Sequence, residues 1–542
     1  MHTDTPAAPS MGLLRQPWVW LLGVVMVGGL VHMGLYLLPF EDAYISFRYA
    51  ENLGNGHGFV FNPGGPPVEG FTSFGWVVLL ALVHLLGGVV PDAAVAVSVC
   101  CGLGLLGLTA VLTARWQGRV DAWIVLPPAL LTANGTWAYW SASGMETPLF
   151  VLLVAGAVLL ATRSSRRSAI LTAIVLGLAA MVRPEGAGYA VAVIAALLSG
   201  RESRKRGLWI LGGFALVFVP WFVWRWQHFG FPLPNTVYVK SSLSSEQTYL
   251  GWRYVEECLT SHGYWLVLPA LAAGVWRRTW DVWSRLVAFV LGANLVNAIV
   301  VGGDIFPFYR FLLPAQVLGL VILVDGIRRL VAWTGVETAG LRNGLAAGAC
   351  VLLGMWMLGA GSAPRRSLHG TTLESHHTRI KNVDRMNADY QAIGMWLGQT
   401  FPKETVVALN AAGIVPYESG LPTIDMLGLN DSHIAHVDVE PGKGALGHEK
   451  HDAKYVLSLA PDVVILGLPT LSIRTIPTTQ VGNWFAKWWP FLPGDKDMIL
   501  DETFQRDYNH YSAQVGLRGW LTFFIRRGSE PTQLGMTGAE ER

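Results

Sequence analysis

Charge is what this 542-residue chain has least of. Only 14% of its residues are Asp, Glu, Lys or Arg, against about a quarter in soluble domains, and its mean hydropathy is +0.40. So few charges cannot cover a folded surface of this size in water, and a bilayer is the solvent that fits. The charges present nearly cancel, at 39 basic against 37 acidic, so there is no basic field for nucleic acid. The four cysteines, Cys100, Cys101, Cys258 and Cys350, make neither a CxxC pair nor a disulfide framework. Three lie in apolar runs, as small packing residues do. No HExxH or GxSxG motif is present, which removes the zinc-peptidase and nucleophile-elbow chemistries. Internal repeats, common in transporters, and low-complexity tracts are also missing.

Apolar runs are plentiful. They recur at 15–38, 74–90, 93–114, 121–140, 148–162, 169–182, 187–200, 207–226, 263–276, 282–302, 308–329 and 343–361. The first is long enough to span and has no small-residue cleavage site after it, so it reads as an uncleaved signal anchor. The 23 Trp and 61 Gly suit interfacial belts and close helix packing in lipid.

Basic clusters punctuate the runs: Arg115 and Arg119, then Arg163, Arg166 and Arg167, then Arg201, Arg204, Lys205 and Arg206. Arg277 and Arg278 follow, then Arg328, Arg329 and Arg342. The positive-inside bias places all of them in the cytoplasm. That holds only if 74–90 does not cross but lies in the outer leaflet as a re-entrant or juxtamembrane helix. The expected fold is therefore a polytopic α-helical membrane protein with about eleven spans plus juxtamembrane helices, in residues 1–362. Its N-terminus is cytoplasmic. Residues 363–542 carry ordinary charge density and follow the last span to the outside. Thr405–Leu409 and Val463–Leu466 read as buried strands and Asp384–Thr400 as an amphipathic helix, which predicts an extracytoplasmic α/β domain.

With that topology, five polar segments share the outer side. They are the loop Phe40–Gly70, the turn Ser143–Thr147, the turn Arg183-Pro184-Glu185-Gly186, the loop Gln227–His262 and the stretch Gly302–Pro307 followed by Arg310. Ionisable residues gathered at one membrane face beside short, Pro/Gly-broken spans mark a site. Glu41 and Asp42 stand directly after the first span, where adjacent acids raise each other's pKa unless a cation offsets them. Such a pair could hold a divalent cation against a phosphate, or deprotonate an acceptor hydroxyl. Arg48 and Tyr49 continue the polar stripe. Arg183, Lys240 and Arg310 are partners of the right charge for a phosphate. His448 and His451 stand three apart without evident further ligands, so zinc is not expected. His376-His377 reads as a solvated loop pair, and Trp484, Trp488 and Trp489 as interface anchors.

These segments resemble those of a known family. Glu41-Asp42 through Arg48-Tyr49-Ala50, then Gly56-His57-Gly58 to Asn62-Pro63-Gly64, then Val68-Glu69-Gly70 to Ser73 look like the first outer loop of GT-C glycosyltransferases. More narrowly they resemble the AftB-type arabinofuranosyltransferases, which add terminal arabinofuranose to mycobacterial cell-wall arabinan. Ser143–Thr147, Arg183–Gly186, Pro234-Asn235-Thr236 with Lys240, Gly303-Asp304 with Arg310, Asp425–Asp431 and Gly447–Lys450 continue the likeness. It runs in order from residue 40 to about 466, and it is more specific for the GT-C class than for the sugar.

The resemblance implies a polyprenyl-phosphate-arabinofuranose donor, such as decaprenylphosphoryl arabinose, used outside the bacterial cytoplasmic (inner) membrane, with the C-terminal domain periplasmic. It implies a glycan or glycoprotein acceptor and juxtamembrane helices in the first outer loop. It places the key acid at Asp42, with Glu41 beside it orienting substrate or a divalent cation. Lys240, Arg310 and Arg48 would hold the donor phosphate. His57, Glu69, Glu146, Arg183, Glu185, Asn235, Tyr238, Asp304 and His448 would contact sugar or acceptor. A β linkage made from a β donor retains configuration, which needs a carboxylate nucleophile or a front-face reaction; both steps stay open for Asp42. Other readings are a GT-C enzyme using another polyprenyl-phosphate sugar or a pilin acceptor, and a lipid-linked-sugar transporter.

Overall fold

The structure, a computed structural model, describes residues 16–240, 244–261, 264–265, 268–276, 280–304, 306–362, 365–366, 373–439, 444, 448–530 and 537–538. Helix α1 (Pro17–Gly34) is followed by α2 (Glu41–Gly54), α3 (Phe74–Leu85) and the long α4 (Val90–Gln117). A 3-10 turn at Ala122–Val125 leads into α5 (Leu126–Thr132) and α6 (Gly135–Ala142). Next come α7 (Thr147–Ala161), α8 (Arg166–Val182), α9 (Gly186–Leu198) and α10 (Arg204–Phe229). The series closes with α11 (Asn235–Lys240), α12 (Ser245–Ser261), α13 (Leu268–Trp276), α14 (Val282–Val300), α15 (Leu313–Trp333) and α16 (Ala339–Ala360).

Among the described residues, six helices are long and apolar enough to cross a membrane: α1, α4, α10, α14, α15 with its Arg310–Leu312 lead-in, and α16. Helices α6 and α7, bent by 117° at the Ser143–Glu146 turn, pass the same test only as a pair. Helices α1, α10 and α16 expose rows of Val, Leu and Trp, which only lipid solvates well. Helix α15 instead runs through the middle, with 78% of its apolar window buried. The chain is a multi-pass helical membrane protein.

Three stretches differ from the sequence reading. Phe40–Gly70 is not a loop, because α2 fills half of it. Nine of the fourteen α2 residues are buried, and the repeat of Ala43, Phe47 and Ala50 on one face drives the helix. The run 121–140 breaks at Asn134, whose side chain accepts the Thr136 N–H and starts a new helix. The loop 227–262 is mostly helix, as α11 and α12.

Beyond α16, a two-stranded ribbon β1 (Arg365–Arg366) and β2 (Leu373–Glu374) precedes α17 (His376–Thr400). The α17 helix starts eight residues before the expected Asp384, because the Ser375 side chain accepts the Thr378 N–H and caps it there. His376 and His377 therefore sit in its first turn. They are not a solvated loop pair: His376 stacks on Phe308 and accepts its N–H at 3.1 Å, and His377 meets the Tyr36 hydroxyl at 3.3 Å.

Strand β3 (Val407–Leu409), helix α18 (Ile414–Ser419), and strands β4 (Thr423–Asp425), β5 (Val463–Ile465), β6 (Tyr508–Val515), β7 (Gly519–Arg526) and β8 (Thr537–Gly538) complete a mixed sheet. The strand order is β4-β3-β5-β7-β6-β8, with β3 parallel to both its neighbours. The sheet is covered on both faces, which is why its parallel strands read as unbroken apolar runs. Val407, Leu409, Val463 and Ile465 join one core with Phe47, Trp76 and Trp140 of the helical region. Ala408 and Val464 point the other way, toward Phe485 and Phe504. That shared core seats the C-terminal α/β unit on one end of the helix bundle.

Candidate active site

At this seam a cavity of about 290 Å³ opens. Each of the five polar segments contributes to its lining: Asp42, Ser46 and Gly70–Ser73; Met145 and Glu146; Arg183–Glu185; Thr236, Val237 and Lys240; and Arg310. Leu429 closes it from the C-terminal unit, while Val300, Val301 and Phe311 form an apolar side.

Glu41 and Asp42 are the first two residues of α2, where acids meet the positive end of the helix dipole. Phe40 leads in with extended backbone and no side-chain cap. The two carboxyls hydrogen-bond each other, and each also has a partner of its own. Asp42 lines the cavity, with its Oδ2 3.8 Å from the Lys240 ammonium. Glu41 is turned to the C-terminal unit, where its Oε1 accepts the Gly413 N–H at 2.8 Å.

Burial and the neighbouring Asp42 push the Glu41 carboxyl up to about 8, against the pull of the Gly413 N–H. A raised carboxyl pKa means the folded state holds the proton more tightly than the unfolded one. Stability is then full at acid pH and falls as pH rises from the ordinary carboxylate range to about 8. The Tm of the wild type should therefore drop between pH 6 and 9 more than that of Glu41→Gln, which has no proton to lose. Parallel Tm–pH curves would contradict the assignment. As for a cation, among the described residues no group of three His, Cys, Asp or Glu could hold a metal ion. The protein groups alone do not assemble such a site, so no step is routed through one.

The rest of the polar lining is a set of buried ion pairs. Arg183 Nη1 donates to Glu146 Oε1 at 2.7 Å and its Nε to Glu185 Oε1. Glu146 and Glu185 precede the first residues of α7 and α9, so each acid sits at a chain reversal at the same end of the bundle. Arg310 pairs with Asp304 and lies 4.7 Å from the centre of the Trp140 ring and 5.2 Å from that of Phe311. The pairing matters because an unpaired charge at this depth would cost several kcal/mol, about 3–5 by analogy with broken buried pairs.

Other expected site residues lie behind the lining. Arg48 spends its guanidinium on carbonyls: Nε to Phe61 at 2.8 Å, Nη2 to Leu421 at 2.9 Å, and Nη1 to Pro416, with Nη2 also reaching the Asn62 side chain. It binds α2 to the C-terminal unit and does not face the cavity. Glu69 is held by Arg225 in a bidentate pair with both side chains buried. The Glu69 carbonyl accepts the Asn235 N–H at 3.1 Å and so anchors α11. Asn235 is buried, and Tyr238 rests against the His436 ring, which also stacks on Phe231. Asp304 reaches the cavity only through Arg310. His57 is exposed on the loop after α2. His448 is half-buried in the C-terminal unit and outside the lining; the Gly447 of its motif lies outside the described residues.

Several lining or supporting groups were not among the expected site residues, although Asp425 belongs to a stretch that carries the resemblance. Gln247 and Asn297 line the cavity. Asp425, buried and pushed up to about 6, accepts from the Leu427 and Asn430 N–H groups and so shapes the loop that presents Leu429. Arg225 sits inside an apolar run, and a lone arginine there was the available signal.

Residues 379–517 match a family described as a domain of unknown function, DUF8728. The chain is 28% identical over 380 residues to the terminal β-(1→2)-arabinofuranosyltransferase of Mycobacterium tuberculosis; the match covers 60% of this chain and 58% of that protein. Its fold is similar to ArnT from Cupriavidus metallidurans bound to undecaprenyl phosphate, with a TM-score of 0.58, 13% identity, and 95% of this chain and 99% of that one covered. It is also similar to the oligosaccharyltransferase AglB from Archaeoglobus fulgidus in complex with an inhibitory peptide and a dolichol-phosphate. There the TM-score is 0.52, with 10% identity over 95% of this chain and 75% of that one. The fold is that of the GT-C membrane glycosyltransferases, and the sequence resembles an arabinofuranosyltransferase.

Proposed function

We propose that this GT-C-fold protein transfers arabinofuranose from a polyprenyl phosphate to an extracytoplasmic glycan, forming a terminal β-1,2 linkage on arabinan or a similar acceptor. The carrying observation is the cavity at the seam, where the Asp42 carboxylate faces Lys240 beside an apolar flank. A polyprenyl phosphate is already an activated leaving group, so the site must stabilise phosphate charge and direct an acceptor hydroxyl. Lys240, more exposed than the buried arginines and only loosely paired, meets the donor phosphate, with Arg310 behind it. Asp42 acts on the anomeric carbon or the acceptor hydroxyl. Glu146, Arg183 and Glu185 present fixed polar groups to the sugar.

In this reading the chain crosses the bacterial cytoplasmic membrane eleven times. The segments are α1, α4, the broken 122–142 segment, α7 to α10, and α13 to α16; α2, α3, α11 and α12 lie at the outer surface. The cavity and the C-terminal unit then face the periplasm, the side away from every basic cluster.

Lys240→Ala should raise the donor KM about tenfold or more, the scale of a lost charge-assisted hydrogen bond, with kcat changed less. Steady-state kinetics with the donor varied would show it, and an unchanged KM would remove Lys240 from the phosphate. The sugar is tested by offering the purified protein matched polyprenyl-phosphate arabinofuranose, ribofuranose and hexose donors. Preference for a hexose would replace the arabinose assignment and leave the cavity's role in place.

A further inference from the structure

The C-terminal unit meets Glu41 at the start of α2 through a backbone group, the Gly413 N–H. We propose that Gly413 is a positioning residue: its N–H and its missing side chain fix Glu41 and thereby aim Asp42 into the cavity. This rests on the catalytic reading of Asp42 given above.

Three observations carry it. First, the Gly413 N–H donates to Glu41 Oε1 at 2.8 Å, while the other C-terminal hydrogen bonds at that end of α2, from Asn387 to the Pro39 carbonyl and from Gln391 to the Tyr44 hydroxyl, flank the two acids. The Glu41 carboxyl in turn hydrogen-bonds that of Asp42, so holding Glu41 against this unit also holds Asp42 beside Lys240.

Second, a Cβ at position 413 would stand 2.2 Å from the Glu41 carbonyl oxygen and 2.6 Å from its Oε1. Part of that obstruction is backbone, so no rotamer change of Glu41 relieves it. The first turn of α2 would have to move.

Third, the rest of α2 cannot follow such a movement. The Pro416 and Leu421 carbonyls accept from Arg48. The Tyr417 hydroxyl donates to Glu51, and the Tyr417 ring meets Tyr44 edge to face. Displacement would therefore concentrate at Glu41 and Asp42. The seam is equally tight on the other side of the cavity, where a Cβ on Gly70 would come within 1.9 Å of the Asn430 side-chain oxygen. The region matched by the domain of unknown function thus supplies both Gly413 and Asn430.

The test uses the full-length protein with Gly413→Ala, and Gly482→Ala as a control. Gly482 lies in the helix Val481–Ala486 with nothing within 4 Å of an added Cβ. Gly413→Ala should lower kcat at least about tenfold, since misplacement near 1 Å costs up to about a hundredfold. Donor KM should stay within about twofold, and amide exchange in the first turn of α2 should rise while that of α17 is unchanged. Glu41→Gln, which keeps an acceptor for the N–H, should retain most of kcat, while Glu41→Ala should fall to the level of Gly413→Ala. Wild-type kcat and wild-type exchange in Gly413→Ala would overturn the proposal, as would equal inactivity of Glu41→Gln and Glu41→Ala. If the wild type transfers no arabinofuranose, the functional reading fails. The exchange comparison still decides the contact.

Discussion

Asp42→Asn should cut arabinofuranosyl transfer by about a thousandfold, within the range for losing a group that moves a proton or forms the reacting bond. The substitution is nearly isosteric, so α2, its Phe40 lead-in and the Glu41 contact with Gly413 stay in place. Lys240 loses a partner that it holds only at 3.8 Å, and its own side chain is 42% exposed, so water replaces the lost charge at little cost. Binding of a polyprenyl phosphate should then be unchanged or slightly tighter, because one negative charge has left the cavity. A fall in kcat with an unaltered donor affinity is the signature of an interaction made only in the transition state. Equal losses of binding and turnover would instead make Asp42 a binding residue. Single-turnover assays beside equilibrium binding separate the two.

The second large effect is on stability. Arg225→Met leaves the Glu69 carboxylate buried without its bidentate partner, with both side chains no more than 4% exposed in the wild type. Breaking such a pair from one side costs about 3–5 kcal/mol, whereas replacing both members by apolar groups of similar volume is often neutral. Arg225→Met should lower the thermal midpoint sharply in detergent or nanodiscs, and adding Glu69→Met should recover most of it. The single variant should also weaken donor use, because the Glu69 main chain holds the start of α11 and α11 carries Lys240. No recovery in the double variant would mean that the pair does something beyond cancelling charge.

How much of this could be read from the sequence depended on the kind of signal each element carries. The apolar runs and their arginines located the main helices, since lipid solvation imposes length and composition directly. The five polar segments were each legible as local motifs, and all five contribute to the cavity lining. Strands β3 and β5 were visible because they are buried on both faces. The β6–β7 hairpin was missed although its turn, Gly516-Leu517-Arg518-Gly519, is bracketed by glycines; β6 alternates polar and apolar residues, and the short apolar run Phe523-Phe524-Ile525 of β7 was the available signal. Arg48 and Glu69 illustrate a different limit. Both look like binding groups in a polar loop, yet Arg48 answers carbonyls some 370 residues away and Glu69 answers Arg225 at the end of a span. Sequence shows that a charge is present, but not which distant backbone satisfies it. Gly413 is the extreme case, because its contribution is an N–H and an empty space.

Arabinofuranosyl transfer can be followed by incubating the purified full-length protein with polyprenyl-phosphate arabinofuranose carrying a labelled sugar and an arabinan oligosaccharide. The wild type should yield one added terminal arabinofuranose, β-1,2 linked by NMR, and Asp42→Asn almost none. No transfer from this donor with turnover of a different polyprenyl-phosphate sugar, or full transfer by Asp42→Asn, would contradict the proposed transfer through Asp42.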